Sequence, residues 1–303
     1  MRSRILEDMK NKPNWLKIRV SYNRAYLQVK ELITESNLHT VCQEANCPNI
    51  AECFGARTAT FMILGDTCTR TCRFCNVNKG RPKVLDVDEP RRVAEACARL
   101  NLRFAVITSV TRDDLPDGGA AIFAETTRLI KSLNPGCRVE LLIPDLQGDL
   151  RALETILDSN PDVIAHNLET VPRLYPQVRP EAEYEKSLRL LANAYELRPD
   201  IIVKSGIMVG LGEKDDEIMR LFADAHEHHC QILTIGQYLR PSYWHHPVIE
   251  YKHPDWFAEM KAAGEKIGIT HIESGPLVRS SYLAHKQVAA FREKRRRQFV
   301  AEG

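Results

Sequence analysis

From TATFMILG (58–65) onward, short β-branched and apolar runs alternate six times with helical apolar patterns, and this alternation limits the fold more than any other feature. The strands are expected at 58–65, 102–110, 138–144, 162–169, 201–210 and 232–239. The helices that follow them are expected at 89–100, 117–133, 150–159, 184–197, 215–228 and 254–268. Units of this length build a parallel sheet through right-handed crossovers. Six units fall short of the eight of a closed barrel, so an α/β fold with a partial (β/α)6 TIM-like barrel is expected. Before it, Tyr22, Ala25, Tyr26, Val29, Leu32 and Ile33 repeat at helical spacing within 21–35, and KPNWLK supplies one apolar anchor, Trp15. The chain divides into an N-terminal extension (1–57), the barrel (58–270) and a C-terminal extension (271–303) holding a Gly/Pro/Ser stretch at 273–282 and a basic helix at 283–298.

The net charge of +2 lacks the basic excess of a nucleic-acid binder. No apolar run approaches the roughly 18 residues of a membrane span, and MRSRILEDMKNKPNWLKIRV has no apolar signal core. Nine cysteines in such a chain point to metal or redox chemistry in a reducing compartment, and a cytoplasmic monomer is expected.

Six of those cysteines form two sets of three. Cys42, Cys47 and Cys53 are spaced C-x4-C-x5-C in a Pro- and Asn-rich segment. Cys68, Cys72 and Cys75 are spaced C-x3-C-x2-C where the first barrel strand ends, the end at which such barrels carry their chemistry. Three thiolates are one short of closing a zinc site or an iron–sulfur cube. Each set therefore suggests a cluster whose fourth corner belongs to something other than cysteine. A structural zinc knuckle is the competing use, and no fourth ligand stands at zinc spacing.

C-x3-C-x2-C after the first strand of a β/α barrel, with Phe74 just before the last cysteine, resembles the radical S-adenosylmethionine (radical SAM) superfamily. The resemblance implies a radical SAM barrel in which Cys68, Cys72 and Cys75 hold a 4Fe–4S cluster and SAM chelates the open iron. Cleavage of SAM then supplies a 5′-deoxyadenosyl radical. Gly118 and Gly119 resemble the element that meets the SAM amino group, although Ala120 stands where that element has Glu. The segment from Gly206 through Gly210 to Glu213, GIMVGLGE, resembles the element that supports the adenine. Either glycine pair taken alone reads as a turn.

The first triad, with KPNWLK, TRDDLPDGGA and RSSY (279–282), resembles the lipoyl synthase family over nearly the whole chain. That resemblance implies two 4Fe–4S clusters, the auxiliary one held by Cys42, Cys47, Cys53 and a serine, with Ser280 favoured and Ser281 open. Oxygen is a harder ligand for iron than sulfur, so that corner would be labile. The plain use of RSSY is a helix N-cap. The implied reaction inserts two sulfurs at C6 and C8 of an octanoyl chain on a lysine of a lipoyl carrier domain, with the auxiliary cluster as sulfur source. Implied partners are octanoylated carriers (the glycine cleavage H protein, 2-oxoacid dehydrogenase E2), a low-potential donor such as ferredoxin or flavodoxin, and a cluster-repair carrier. The alternatives are another radical SAM sulfur-inserting enzyme and an iron–sulfur electron carrier or redox sensor.

Further polar residues fall near the expected barrel mouth. Asn167, Glu169, Lys204 and Gln237 are candidates to contact SAM, or else to satisfy loop backbone groups. Arg57, Arg70 and Arg73 are candidates for the SAM carboxylate or an acidic carrier, or for solvated charge. Cys97, Cys137 and Cys230 lack cluster spacing and are expected to be buried small apolar residues. The histidines of YWHHP and YKHPDW are expected to make structural hydrogen bonds. REKRRRQ is expected to be a solvated basic tail, with carrier docking as the other use.

Overall fold

A computed structural model describes residues 12–17, 22–56 and 58–302; Arg57 and the first eleven residues lie outside it. Among the described residues the main sheet has eight strands. Strand β1 (His39–Thr40) pairs antiparallel with β2 (Thr60–Ile63). Beside it, after the short parallel pair β3 (Thr67–Cys68) and β4 (Asn78–Lys79), come β5 (Phe104–Ser109), β6 (Arg138–Leu142), β7 (Val163–Ala165), β8 (Ile202–Val209), β9 (Ile232–Gln237) and β10 (His271–Gly275). Strands β2 and β5 to β10 are parallel and adjacent in chain order. All six expected strands are present, and helices connect them, so the open α/β barrel stands. The seventh parallel strand, β10, comes from the expected Gly/Pro/Ser stretch. Its His271 and Ile272 are buried against β9, which outweighs the turn-like composition that follows.

All six strands end one to four residues before their expected bounds, and for two of them the reason is local. Leu64 and Gly65 take φ of 69° and 88°, so β2 turns away and the cysteine loop passes across the sheet end. Glu169 takes φ 65°, and beyond Ala165 the fourth barrel strand keeps only an isolated bridge from Glu169 to Ile207.

The helix Arg24–Glu35 is capped by Asn23 and buries Val29, Leu32 and Ile33 against the barrel wall. Its Tyr26 lies 5.6 Å from Phe54, so the extension packs on itself as well as on the barrel. The C-terminal helix Ala284–Glu302 does more than carry a basic tail. Val288 and Phe291 are buried against Val163, Ile202 and Ile232, with Phe104 packed beside them. These four are the first residues of their strands, so the helix plugs the N-terminal end of the barrel. Arg292, Arg295, Arg296 and Arg297 remain on its exposed side.

Candidate functional site

Three short elements position the first cysteine set. Cys42 lies on the helix Val41–Glu44, capped by Thr40, and Cys53 on the helix Ile50–Gly55. Between them the backbone N–H of Cys47 donates to Cys42 O at 3.0 Å, and Asn46 takes φ 48°. The three thiols line one cavity with Thr60, Phe104, Val106, Arg279, Ser281 and Tyr282. The two ends of the chain are tied there. Asn49 donates to Leu277 O at 2.8 Å, and the Tyr282 hydroxyl donates to the Glu52 carboxylate at 3.0 Å. Ser281 faces this cavity, whereas Ser280, the serine favoured from sequence, is not among its walls.

Burial raises the pKa of all three thiols of this set, and neighbouring thiols add to the rise at Cys42 and Cys53. Burial and then Cys42 and Cys47 push Cys53 up to about 12, and burial pushes Cys42 to about 11. Thiolates held this way need a compensating cation, as iron would supply. Arg279 stands beside Cys47; burial disfavours its charge and Cys47 favours it. Among the described residues, no three His, Cys, Asp or Glu side chains close on the position of a single metal ion. Thiols at three corners of a cube need not do so, because each meets its own iron. The donor set therefore fits a cluster.

The second set is held from several sides. Arg70 makes paired hydrogen bonds to Asp113 (2.7 and 2.9 Å) and to Asp145 (2.6 and 2.7 Å), joining the cysteine loop to the loops after β5 and β6. A buried guanidinium with two carboxylates is a structural clamp, not a free ligand for a carboxylate. Despite burial, that guanidinium holds Asp145 down at about 2. Lys79 Nζ donates to Cys72 O at 2.9 Å, His245 Nε2 lies 3.0 Å from Cys75 O, and the Arg73 N–H donates to Val178 O at 2.8 Å. Phe74 packs on the apolar cluster that includes Leu168 and Ile207. Burial, with Cys75 and Cys68 adding to it, pushes Cys72 up to about 12 against the opposing charge of Arg179.

Asn167 and Glu169 do come to this place. Asn167 Nδ2 donates to Glu169 Oε1 at 3.0 Å, while its buried Oδ1 has no partner. Burial raises the Glu169 pKa, and Arg179 opposes the shift. Arg179, which no motif announces, is buried and donates to Asn167 O at 2.8 Å, leaving its Nε unpartnered. An orphaned carbonyl and an orphaned N–H beside three thiols are what a polar, charged ligand would satisfy.

Two expected mouth residues are corrected. Lys204 is the third residue of β8, fully buried, with Nζ on Glu140 Oε1 at 2.7 Å. It belongs to the barrel interior. Gln237 is equally buried; its Nε2 donates to Val209 O and Glu250 O at 3.0 Å, and its Oε1 accepts from Lys252 N at 2.9 Å. It satisfies backbone groups.

The glycines are explained by turns and tight packing. Gly118 and Gly119 take φ of 59° and 92°, and a Cβ on Gly119 would meet Leu64 Cδ1 at 2.3 Å. A Cβ on Gly206 would meet Thr234 Oγ1 at 2.5 Å and Asn167 Oδ1 at 2.9 Å, so a side chain there would crowd the unpartnered amide oxygen. Gly210 and Leu211 donate their N–H groups to Glu213 at 2.6 and 2.9 Å, which shapes the turn after β8. Cys97, Cys137 and Cys230 are buried as expected. His245 and His246 make structural hydrogen bonds, to Cys75 O and Leu211 O. Arg73 is exposed.

Comparison with known proteins agrees with this geometry. Residues 62–225 match the model of the radical SAM superfamily, and residues 3–47 match that of the N-terminal domain of lipoyl synthase of the radical SAM family. A lipoyl synthase of Rubrobacter xylanophilus is 56% identical over 276 residues, covering 91% of this chain and 86% of that one. A lipoyl synthase of Halalkalibacterium halodurans is 51% identical over 294 residues, covering 96% and 97%. Among solved structures, the FeFe-hydrogenase maturase HydG of Carboxydothermus hydrogenoformans shares the fold at TM-score 0.56 and 17% identity, over 68% of this chain and 50% of that longer one. The chain belongs to the lipoyl synthase family of radical SAM enzymes.

Proposed function

We propose that this chain is a lipoyl synthase, adding two sulfur atoms, at C6 and C8, to an octanoyl chain carried on a lysine of a lipoyl carrier domain. The observation that carries the reading is the shared cavity. Cys42, Cys47 and Cys53 line it together with Ser281, which arrives from the far end of the chain. Such a donor set suits an auxiliary 4Fe–4S cluster, with Cys42, Cys47, Cys53 and Ser281 as its holders. Cys68, Cys72 and Cys75, with Asn167, Glu169 and Arg179 beside them, suit a second cluster and SAM. When bound, these groups supply a carbon-centred radical and the sulfur, chemistry no side chain performs on unactivated carbon.

The chain's own residues perform the remaining tasks. Arg70 and its two aspartates hold the Cys68–Cys75 loop rigid across the sheet end. Asn167 Oδ1 and Arg179 Nε offer an acceptor and a donor to a zwitterionic ligand. Phe104 and Val106, on the wall of the first cavity, give an acyl chain apolar contact. Asn49 and Tyr282 hold the C-terminal segment against the first cysteine set, keeping Ser281 in reach and water out. Because β10 pairs with β9, the C-terminal extension would begin after Gly275 and not at 271. The carrier would be a glycine cleavage H protein or a 2-oxoacid dehydrogenase E2 domain.

An anaerobic single-turnover experiment tests the reading, using cluster-loaded protein, SAM, dithionite and an octanoyl-lysine peptide. Two added sulfurs with 5′-deoxyadenosine are expected by mass spectrometry. Deoxyadenosine with no sulfur gain would move the substrate elsewhere.

A further inference from the structure

The outer side of the Cys68–Cys75 loop is covered by two polar segments that expose a tryptophan. Residues 78–80 lie directly on it. β4 pairs with β3, Gly80 N donates to Cys68 O at 3.0 Å, and Lys79 Nζ donates to Cys72 O at 2.9 Å. The loop after β9 clasps it from the other side. His245 Nε2 lies 3.0 Å from Cys75 O, and His246 N donates to Arg73 O at 2.8 Å. Both segments therefore rest on the backbone of the same cysteine loop.

At the tip of this second loop Trp244 is 78% exposed, although the backbone around it is firmly held. Ser242 Oγ meets His245 Nδ1 at 2.8 Å, Arg240 Nε donates to His245 O at 3.0 Å, and the Arg240 guanidinium lies over the Tyr243 ring at 5.1 Å. Tyr243 in turn meets the Trp244 ring edge-on at 5.8 Å. A loop pinned by that many contacts, yet presenting its largest apolar side chain to water, has the form of a preorganised docking anchor. Arg73, Lys79, Arg81 and Lys83 are all exposed along the adjacent segment. Of the acids nearby, Asp114 is paired with Arg112, while Glu181 accepts from the Thr71 hydroxyl and keeps its charge.

We infer that Trp244 and the basic segment 79–83 form the docking surface for an acidic, low-potential one-electron donor protein. The inference rests on the lipoyl synthase reading. The donor, not the acyl carrier, is the partner because this surface touches the backbone of Cys72 and Cys75 and shares no residue with the cavity of the first cysteine set, where the acyl chain must reach. A donor seated here would lose one electron across this loop to the cluster that Cys68, Cys72 and Cys75 would hold, which is reduced by one electron, and no bond is made or broken. Basic residues around an exposed aromatic give an acidic partner both its approach and its anchor.

The test measures binding of a flavodoxin to the cluster-loaded protein at several salt concentrations, for the wild type, Trp244→Ser and the double variant Arg81→Glu/Lys83→Glu. Deoxyadenosine formation is then driven by flavodoxin or by dithionite. Each variant should bind flavodoxin about tenfold more weakly or worse. The charge variant should flatten the salt dependence, while dithionite-driven turnover and circular dichroism stay unchanged. Equal flavodoxin affinity in all three proteins would overturn the inference. So would weakened binding of an octanoylated H protein with flavodoxin binding intact, which would give the surface to the carrier. Loss of dithionite-driven deoxyadenosine in the wild type would instead strike at the functional reading.

Discussion

Replacing Lys204 by Met separates the two roles this residue could have. Its ammonium and the Glu140 carboxylate are 2.7 Å apart, with side-chain exposures of 0% and 1%. Glu140 Oε2 has no hydrogen-bond partner, so Lys204, on Oε1, is the group that makes the carboxylate tolerable inside the barrel. Removing one member of such a pair costs about 3–5 kcal/mol, chiefly by stranding the other charge. At about 1.6 °C per kcal/mol for a chain of 303 residues, the unfolding midpoint should fall by about 5–8 °C. Scanning calorimetry at matched iron content is the appropriate assay, because cluster binding itself shifts the transition. The double variant Lys204→Met/Glu140→Leu should regain most of the loss, since an apolar replacement of a buried pair is often neutral or stabilising. An unchanged midpoint for Lys204→Met, with SAM affinity lost, would refute this reasoning and return the lysine to the ligand. A double variant as unstable as the single one would refute the pairing argument too.

Other substitutions test the site. Ser281→Ala should change the iron spectrum of the auxiliary cluster and stop full sulfur insertion while SAM is still cleaved, and Ser280→Ala should do much less; the reverse order, read by Mössbauer and mass spectrometry, would restore Ser280. Gly206→Ala places a methyl 2.5 Å from Thr234 Oγ1 and 2.9 Å from Asn167 Oδ1, so stability should drop by about 1–3 kcal/mol in urea. SAM affinity, by equilibrium dialysis, should weaken with it. His166 is buried and held neutral, with burial and then Arg179 depressing its pKa from 6.5 to about 4. Because the unfolded chain takes up the proton first, stability should be full above about pH 6.5 and fall between there and about pH 4, by roughly 3 kcal/mol. A His166→Gln variant should flatten that limb of the denaturation profile. Cys97→Ala and Cys230→Ala should retain the wild-type iron content, since neither thiol lines either cysteine set.

What could be read from the sequence alone were features with a period or a spacing. Strand and helix patterns repeat locally, so all six expected strands appear in the sheet, and the C-x3-C-x2-C set stands at the end of the first. Three lone cysteines without spacing proved buried, as small apolar residues are. The tertiary structure decided what depends on partners distant in sequence. Lys204 and Gln237 carry ordinary polar side chains at strand positions, and only the neighbouring strands show that one pairs with Glu140 and the other satisfies backbone. Arg70 looks like a free cation in its loop until Asp113 and Asp145 arrive from two other strand ends. Arg179 has no motif at all, since its place depends on how the chain turns after the fourth barrel strand. Between two adjacent serines sequence offers no choice, because one residue's rotation of the backbone decides which faces the cavity. Local pattern is set by the chain's own covalent periodicity, whereas burial and charge pairing are properties of the folded surroundings.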